Sequence, residues 1–410
     1  MIRFHHRAVP IALAAVLIDS IGFGIVLPVL PSLIVQLGDV SLTDAARIGG
    51  YMLIAYAAAQ FVAGPIMGSL GDRYGRRPVM LASMLAFGID YALMAFAPSL
   101  LWLFVGRLVA GVTGALYGPA NAILADVTPP EKRGHVFGLM GAAFGVGFII
   151  GPAMGGLLSD LGPRAPFLAA AAFAFVNAAA IALLLPETHA PENRRAFTWA
   201  RANAFGAFKP LFAAAPGAAA LLAAALLWQL AHMVYPATWA FWAEIALDWT
   251  PREIGWSLAT TGVCMAVVQA GLTGRVIAAI GEARTLMLGL CVGVAAFLAY
   301  SLVTASWQVY AILILSSLTG VVFPSLNAIL SRSVDATNQG ALQGGMASLG
   351  SIAAVIGPLL LTQALAYGSE RGETSGNFLL AAALAAATLL VVWVGVVRRG
   401  SLSSPAPDVG

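Results

Sequence analysis

Charge is what this chain has least of. Only 10% of its 410 residues are Asp, Glu, Lys or Arg, where a soluble domain carries roughly 25%. That shortage excludes a solvated surface of ordinary extent. The two cysteines, Cys264 and Cys291, exclude a disulfide framework. Neither they nor the five histidines stand at metal-ligand spacing, so no metal and no cofactor is expected. No paired His/Asp site and no nucleophile–base spacing supports a membrane-embedded enzyme. The net charge of +3 reflects short basic loops and gives no sign of a nucleic-acid partner.

What fills the chain is apolar: 60% of the residues are hydrophobic. Segments near or above the ~20 residues needed to cross a bilayer recur. Twelve are readable, at about 8–36, 47–70, 77–97, 99–125, 134–160, 165–186, 217–246, 253–280, 284–304, 307–331, 340–367 and 376–397. Only helices or closed barrels satisfy every backbone group inside lipid. The runs lack the two-residue alternation of a barrel strand. The expected fold is an all-α membrane protein of twelve transmembrane helices. At the N-terminus, Arg3 and Arg7 precede an apolar run, as in a signal peptide. That run is too long for such a segment and Asp19 interrupts it, so no cleavage is expected.

The two halves are copies at a constant offset of 206 residues. Gly68, Gly75 and Gly114 return as Gly274, Gly281 and Gly320. Asn121-Ala122-Ile123-Leu124 returns as Asn327-Ala328-Ile329-Leu330. Gly134, Gly138 and Met140 return as Gly340, Gly344 and Met346, and Ile150-Gly151-Pro152 as Ile356-Gly357-Pro358. Such a period suits a duplicated helical bundle with a site where the halves meet, as in many secondary transporters. The division expected is a six-helix bundle over 1–189, a cytoplasmic linker over 190–212, a second six-helix bundle over 213–399 and a disordered tail over 400–410. With both termini in the cytoplasm, 16 of the 21 Lys and Arg residues fall on that side. This asymmetry predicts a multi-pass protein of a bacterial inner (cytoplasmic) membrane.

Several groups are costly at membrane depth and therefore functional candidates. Asp19 lies in span 1 and Asp90 in span 3. Each costs about 2.5–3.5 kcal/mol if charged at the bilayer centre. A carboxyl there is a natural site to take up and release a proton, and a hydrogen-bonded structural contact is the alternative. Arg107 lies several residues inside span 4. His232 in span 7, near Gln229 and Tyr235, can switch near physiological pH or serve as a hydrogen-bonding structural residue. Polar candidates for a substrate cavity are Gln60, Asn121, Gln229, Tyr235, Gln269, Asn327 and Gln363. Trp228, Trp239 and Phe323 could add aromatic contacts, or anchor at the interface. The glycines of span 4 (Gly106, Gly111, Gly114, Gly118) and span 5 (Gly141, Gly145, Gly147, Gly151, Gly155, Gly156) read mostly as helix-packing residues.

The loop after span 2 reads Gly68-Ser69-Leu70-Gly71-Asp72-Arg73-Tyr74-Gly75-Arg76-Arg77. Gly68 and Gly75 suit a tight turn, and Asp72 can face a helix N-terminus. Here the chain resembles the major facilitator superfamily, whose signature is Gly-x-x-x-Asp-(Arg/Lys)-x-Gly-(Arg/Lys)-(Arg/Lys). The second copy keeps Gly274 and Gly281 but has Ala278 in the aspartate position. The resemblance implies a cytoplasmic gate latch, with Asp72 reaching the start of span 11 near Gly340–Gln343. It links Arg107 to proton coupling. Gly147, Gly151, Pro152, Gly155 and Gly156 are similar to the family's antiporter motif.

The contexts of Asp19 through Pro31, Gly75 through Tyr91, Gly106 through Gly111, Leu185 through His189, Leu286 through Gly289 and Gln339 through Gly344 resemble the tetracycline/proton antiporters of the TetA type. The resemblance covers essentially the whole chain. It implies a proton-driven exporter of an amphipathic, tetracycline-like solute that can carry magnesium, working by alternating access and sufficient as a monomer. Two departures stand against tetracycline itself. Gly293 occupies the place of a span 9 aspartate, and Met265 that of a span 8 histidine. A multidrug or metabolite exporter of the same fold is the alternative, and a proton-coupled importer a further one.

Overall fold

A computed structural model describes residues 6–114, 116–199, 203, 219–335 and 338–397. Among them, twelve helices are long and apolar enough to cross a membrane. Spans 1 to 6 are Ala8–Val26, Leu42–Tyr74, Arg76–Ala95, Leu100–Val127, Pro130–Leu161 and Ala165–Leu184. Spans 7 to 12 are Ala219–Leu247, Pro251–Ile280, Glu282–Tyr300, Ser306–Arg332, Gln339–Ser369 and Gly376–Gly395. Of the expected linker, residues 190–199 and 203 are described, with a short turn at Pro191–Asn193, and the rest lies outside the described residues. The tail from 400, and Arg3, Arg201, Lys209, Arg398 and Arg399, lie outside them too.

Several spans expected to be continuous are interrupted, and the interruptions of spans 1 and 7, and of spans 4 and 10, fall at repeat-related positions. Span 1 stops at Val26 and a second helix, Leu30–Gly38, continues it. Pro28 and Pro31 supply no N–H for the carbonyls one turn back, so the helix cannot run through. Span 7 breaks at Met233, 206 residues after Leu27. Here Pro236 withholds a donor from the His232 carbonyl. Span 4 ends its first helix at Thr113 and resumes at Tyr117. Span 10 passes through a tight turn at Leu318–Val321, centred on the repeat of Gly114. Span 8 carries a wide turn at Val268–Leu272, where the repeat of span 2 has Pro65. Broken helices are where transporters expose backbone and polar side chains to a cavity.

Contacts divide the chain into two compact units. The first holds Met1–Gly206 with Trp239–Gly262, and the second Ala207–Thr238 with Val263–Gly410. The division thus falls inside spans 7 and 8, close to the break at Met233. In the first unit, span 1 packs on spans 5 and 6, span 2 on span 4, and span 3 on spans 4 and 6. A buried Asn177 in span 6 donates to the Ala15 carbonyl of span 1 at 2.9 Å. In the second unit, span 12 packs on helix Ala219–His232 and on span 9, and span 9 packs on span 10. Asn377 donates to the Thr238 hydroxyl at 2.8 Å. Such polar contacts hold helices together in lipid, where no hydrophobic effect does.

Candidate functional site

The first unit places a charged pair at its centre. Asp90 of span 3 is fully buried and Arg107 of span 4 is 7% exposed. One Nη of Arg107 donates to Asp90 at 3.0 Å and also meets the Met94 sulfur at 2.8 Å. The absence of a side chain at Gly106 makes this possible, because a Cβ there would collide with the Asp90 carboxylate. The guanidinium lies 5.9 Å from the centre of the Tyr56 ring in span 2. The second carboxylate oxygen of Asp90 and Nε of Arg107 are buried with no hydrogen-bond partner among the described residues.

Asp19 sits half-buried in span 1. It is within electrostatic reach of Tyr56, Tyr91 and Tyr117. Tyr56 and Tyr91 also feel Asp90 and Arg107. Tyr91 lies against Gly22 of span 1, where a Cβ would stand 3.4 Å from the ring. Tyr56 and Tyr91 thus stand within electrostatic reach of both a carboxyl on span 1 and the ion pair between spans 3 and 4. In the sequence these tyrosines carry no charge to mark them. Gln60 donates to the Tyr56 hydroxyl at 3.2 Å and to the Gly114 carbonyl at 3.1 Å, freed by the break in span 4. Asn121 is half-buried in the continuation of span 4.

The loop after span 2 is shorter than its motif suggests. Span 2 stays helical through Tyr74, and span 3 begins at Arg76. Gly75 alone makes the turn, with φ of +106°, and a Cβ there would strike Glu187. Gly68 has no turn role: it is helical and nothing described lies within 4 Å of a Cβ built on it. Asp72 pairs with Arg76 at 2.6 Å, and Arg76 lies 3.5 Å from Asp126 at the end of span 4. The carboxylate at the N-terminus of span 3 is Glu187. It accepts from the backbone N–H of Arg76 at 2.9 Å and of Arg77 at 3.3 Å, and from Thr188 and His189 at 3.0 Å each. A helix N-terminus favours such an anion. The Arg77 guanidinium donates to the Ala182 carbonyl of span 6, whereas Arg73 is exposed over the Tyr74 ring at 5.0 Å.

Span 5 shows why its glycines are spaced as they are. A Cβ at Gly147 would meet Ser20 and the Leu17 carbonyl of span 1 at 2.6 and 2.7 Å. One at Gly151 would meet the Ile21 carbonyl at 2.6 Å, and one at Gly155 would strike the Ile25 carbonyl. Gly24 of span 1 answers with its own bare face against Pro152 at 2.7 Å. Gly156 turns the other way, where a Cβ would meet Arg252 and Pro251 of span 8 at 2.9 Å. Not every glycine packs: around Gly118, Gly141 and Gly145 no described atom lies within 4 Å of a built Cβ.

In the second unit, the residues of span 7 come together. His232 stacks on Trp228, with centroids 5.6 Å apart, and meets Tyr235 edge-on at 5.2 Å. Phe297 of span 9 lies 5.9 Å from Tyr235. Gln269 is exposed on the wide turn of span 8 and does not join them. Asn327 accepts from Gln343 at 3.0 Å, and Gln363 is half-buried in span 11. Phe323 is 44% exposed. Trp239 belongs to the first unit, where its indole donates to Ser257 at 2.9 Å. A further carboxylate, Glu244 near the end of span 7, is half-buried with one oxygen lacking a hydrogen-bond partner among the described residues.

The chain matches the Major Facilitator Superfamily model over residues 12–246 and again over 230–408. It is 37% identical to the class C tetracycline resistance protein of Escherichia coli, over 97% of this chain and 98% of that one. It is 38% identical to the class G protein of Vibrio anguillarum, over 95% and 96%. Multidrug resistance protein 2 of Bacillus subtilis is 26% identical over 85% of this chain and 86% of its own length. Among solved structures, the nucleoside transporter NupG superposes with a TM-score of 0.76 at 12% identity, over 96% of this chain and 99% of that one. The human organic anion transporter MFSD10 superposes with a TM-score of 0.70 at 23% identity, over 94% and 99%.

Proposed function

The chain belongs to the Major Facilitator Superfamily and is a multi-pass membrane transporter, not an enzyme, and from that premise we propose that it is a proton-coupled antiporter exporting an amphipathic organic solute. The observation that carries this reading is the arrangement in the first unit. Asp19 and the Asp90–Arg107 pair lie around the same two tyrosines, Tyr56 and Tyr91. A proton taken by Asp19 removes one charge near a pair that keeps hydrogen-bonding capacity unfilled among the described residues. A ligand or proton shifts a two-state equilibrium only through its differential affinity for the two states. Asp19 supplies such a difference when its exposure to water alternates.

The solute class is supported by the three relatives above, which are named as tetracycline or multidrug resistance proteins. The basic residues favour both termini in the cytoplasm of a bacterial inner membrane. On that orientation Asp72, Arg76, Asp126 and Glu187 form the cytoplasmic gate. The test is proton release from proteoliposomes on addition of a solute panel that includes magnesium-tetracycline. Antiport requires that at least one transported solute drive protons the opposite way. Solute flux with no proton movement for any member would sink the reading.

A further inference from the structure

The coupling reading leaves the aromatic stripe of span 7 unused. Gln229, His232 and Tyr235 follow one another at three-residue steps across the helix break at Met233. All three are half-buried, while Trp228 and Phe297 behind them are 3% and 1% exposed. The rings form a supported platform, with His232 stacked on Trp228 at 29° between planes. Gly350 of span 11 has no side chain, and Gln229 Oε1 occupies the approach, 2.7 Å from where a Cβ would stand. The Gln229 amide oxygen therefore faces span 11. Nε2 of Gln229, and Nδ1 of His232, are shielded from solvent with no hydrogen-bond partner among the described residues. Native proteins seldom leave such groups unsatisfied, and each one calls for an explanation.

Charge narrows the candidates. The described carboxylates of the second unit, Glu282, Asp335, Glu370 and Glu373, stand at helix ends or in loops. None lies within the interior of its spans. Gly293 of span 9 is covered by the Trp228 ring, 2.8 Å from a built Cβ. Among the described residues of the second unit, the platform therefore has ring faces and two polar atoms but no counter-charge for a metal chelate.

We infer that the Gln229–His232–Tyr235 face binds a planar, metal-free aromatic solute, stacked on the rings and hydrogen-bonded at one edge through carbonyl or phenol oxygens. This rests on the exporter reading for the role of the site, but the test does not depend on it. The full-length protein in lipid nanodiscs, with no gradient, is titrated with 1,8-dihydroxyanthraquinone and separately with magnesium-tetracycline. The anthraquinone is expected to bind saturably and more tightly. Gln229→Leu and His232→Leu should each weaken it about tenfold, the scale of one buried hydrogen bond, with unchanged thermal unfolding of the apo-protein. The double variant Trp228→Ala/Gly293→Asp clears the space and adds a carboxylate, and should reverse the preference toward magnesium-tetracycline. Tighter magnesium-tetracycline binding by the unaltered chain would overturn the inference, as would unchanged anthraquinone binding in both leucine variants. A failure of proton coupling leaves these equilibrium results standing. Proton-coupled export of another solute, with no binding on this face, would remove the inference alone.

Discussion

Arg107 and Asp90 meet through one hydrogen bond of 3.0 Å, and each keeps a buried polar atom without a partner among the described residues. A buried pair is weak evidence of stability, because desolvation offsets most of the attraction. Breaking it is another matter, since one charge stays behind. Arg107→Leu is expected to cost about 3–5 kcal/mol. The double variant Arg107→Leu/Asp90→Leu should recover much of that loss while transport stays abolished. Thermal unfolding in detergent of the three proteins decides. Equal destabilisation in the single and double variants would mean that the pair is not the reason.

Asp19 lies outside that hydrogen bond, on a different span. Asp19→Asn keeps the shape and removes the titratable group. The expected result is a folded, inserted protein that equilibrates solute but no longer concentrates it uphill. Everted vesicles energised by respiration measure this directly. Undiminished uphill transport would exclude Asp19 as the coupling site.

Much of this site is legible in the sequence, and the reasons differ by residue. Asp19, Asp90 and Arg107 stand out because charge in lipid is expensive enough to be rare. The twelve spans stand out for the complementary reason, their unbroken hydropathy. Tyr56 and Tyr91 do not, since a tyrosine in a span is chemically unremarkable until its neighbours are known. Gln60 looks like a cavity residue, yet its amide holds the Gly114 carbonyl of a broken helix. Pro119 stands in the first turn after the break and supplies no N–H one turn back, but the residues around it are apolar, so hydropathy runs straight through. Gly68 matches a motif position but has no turn to make, because span 2 continues as helix for six more residues to Tyr74.

At the loop after span 2, two carboxylates do different work. Asp72 is 40% exposed at its side chain and pairs one turn along with Arg76. Exposed pairs contribute about 0–1 kcal/mol. Asp72→Asn should therefore leave stability nearly unchanged and reduce turnover more than affinity. Glu187 holds four backbone N–H groups. Glu187→Ala should cost about 0.5–2 kcal/mol, as the loss of a helix cap does. Cysteine-accessibility labelling alongside unfolding separates the two. An Asp72→Asn protein with unaltered labelling and turnover would end its assignment to the gate.

Span 5 allows the sharpest contrast, because its glycines differ in what lies beside them. At Gly155 an added methyl runs into the backbone of Ile25, and a backbone cannot rotate out of the way as a side chain can. Either spans 1 and 5 separate or the methyl is not accommodated. Overpacking of this kind costs about 1–3 kcal/mol, and here it also disturbs the span that carries Asp19. Gly145 lies on the same helix, with no described atom within 4 Å of a built Cβ. Gly145→Ala should thus be neutral, or slightly stabilising because alanine is the better helix former by about 1 kcal/mol. The expected order is Gly145→Ala at or above the unaltered protein in unfolding temperature, with Gly155→Ala clearly below it and impaired in transport. If both substitutions were equally tolerated, span 5 would not be pressed against span 1 in the working protein, and its glycine spacing would need another cause.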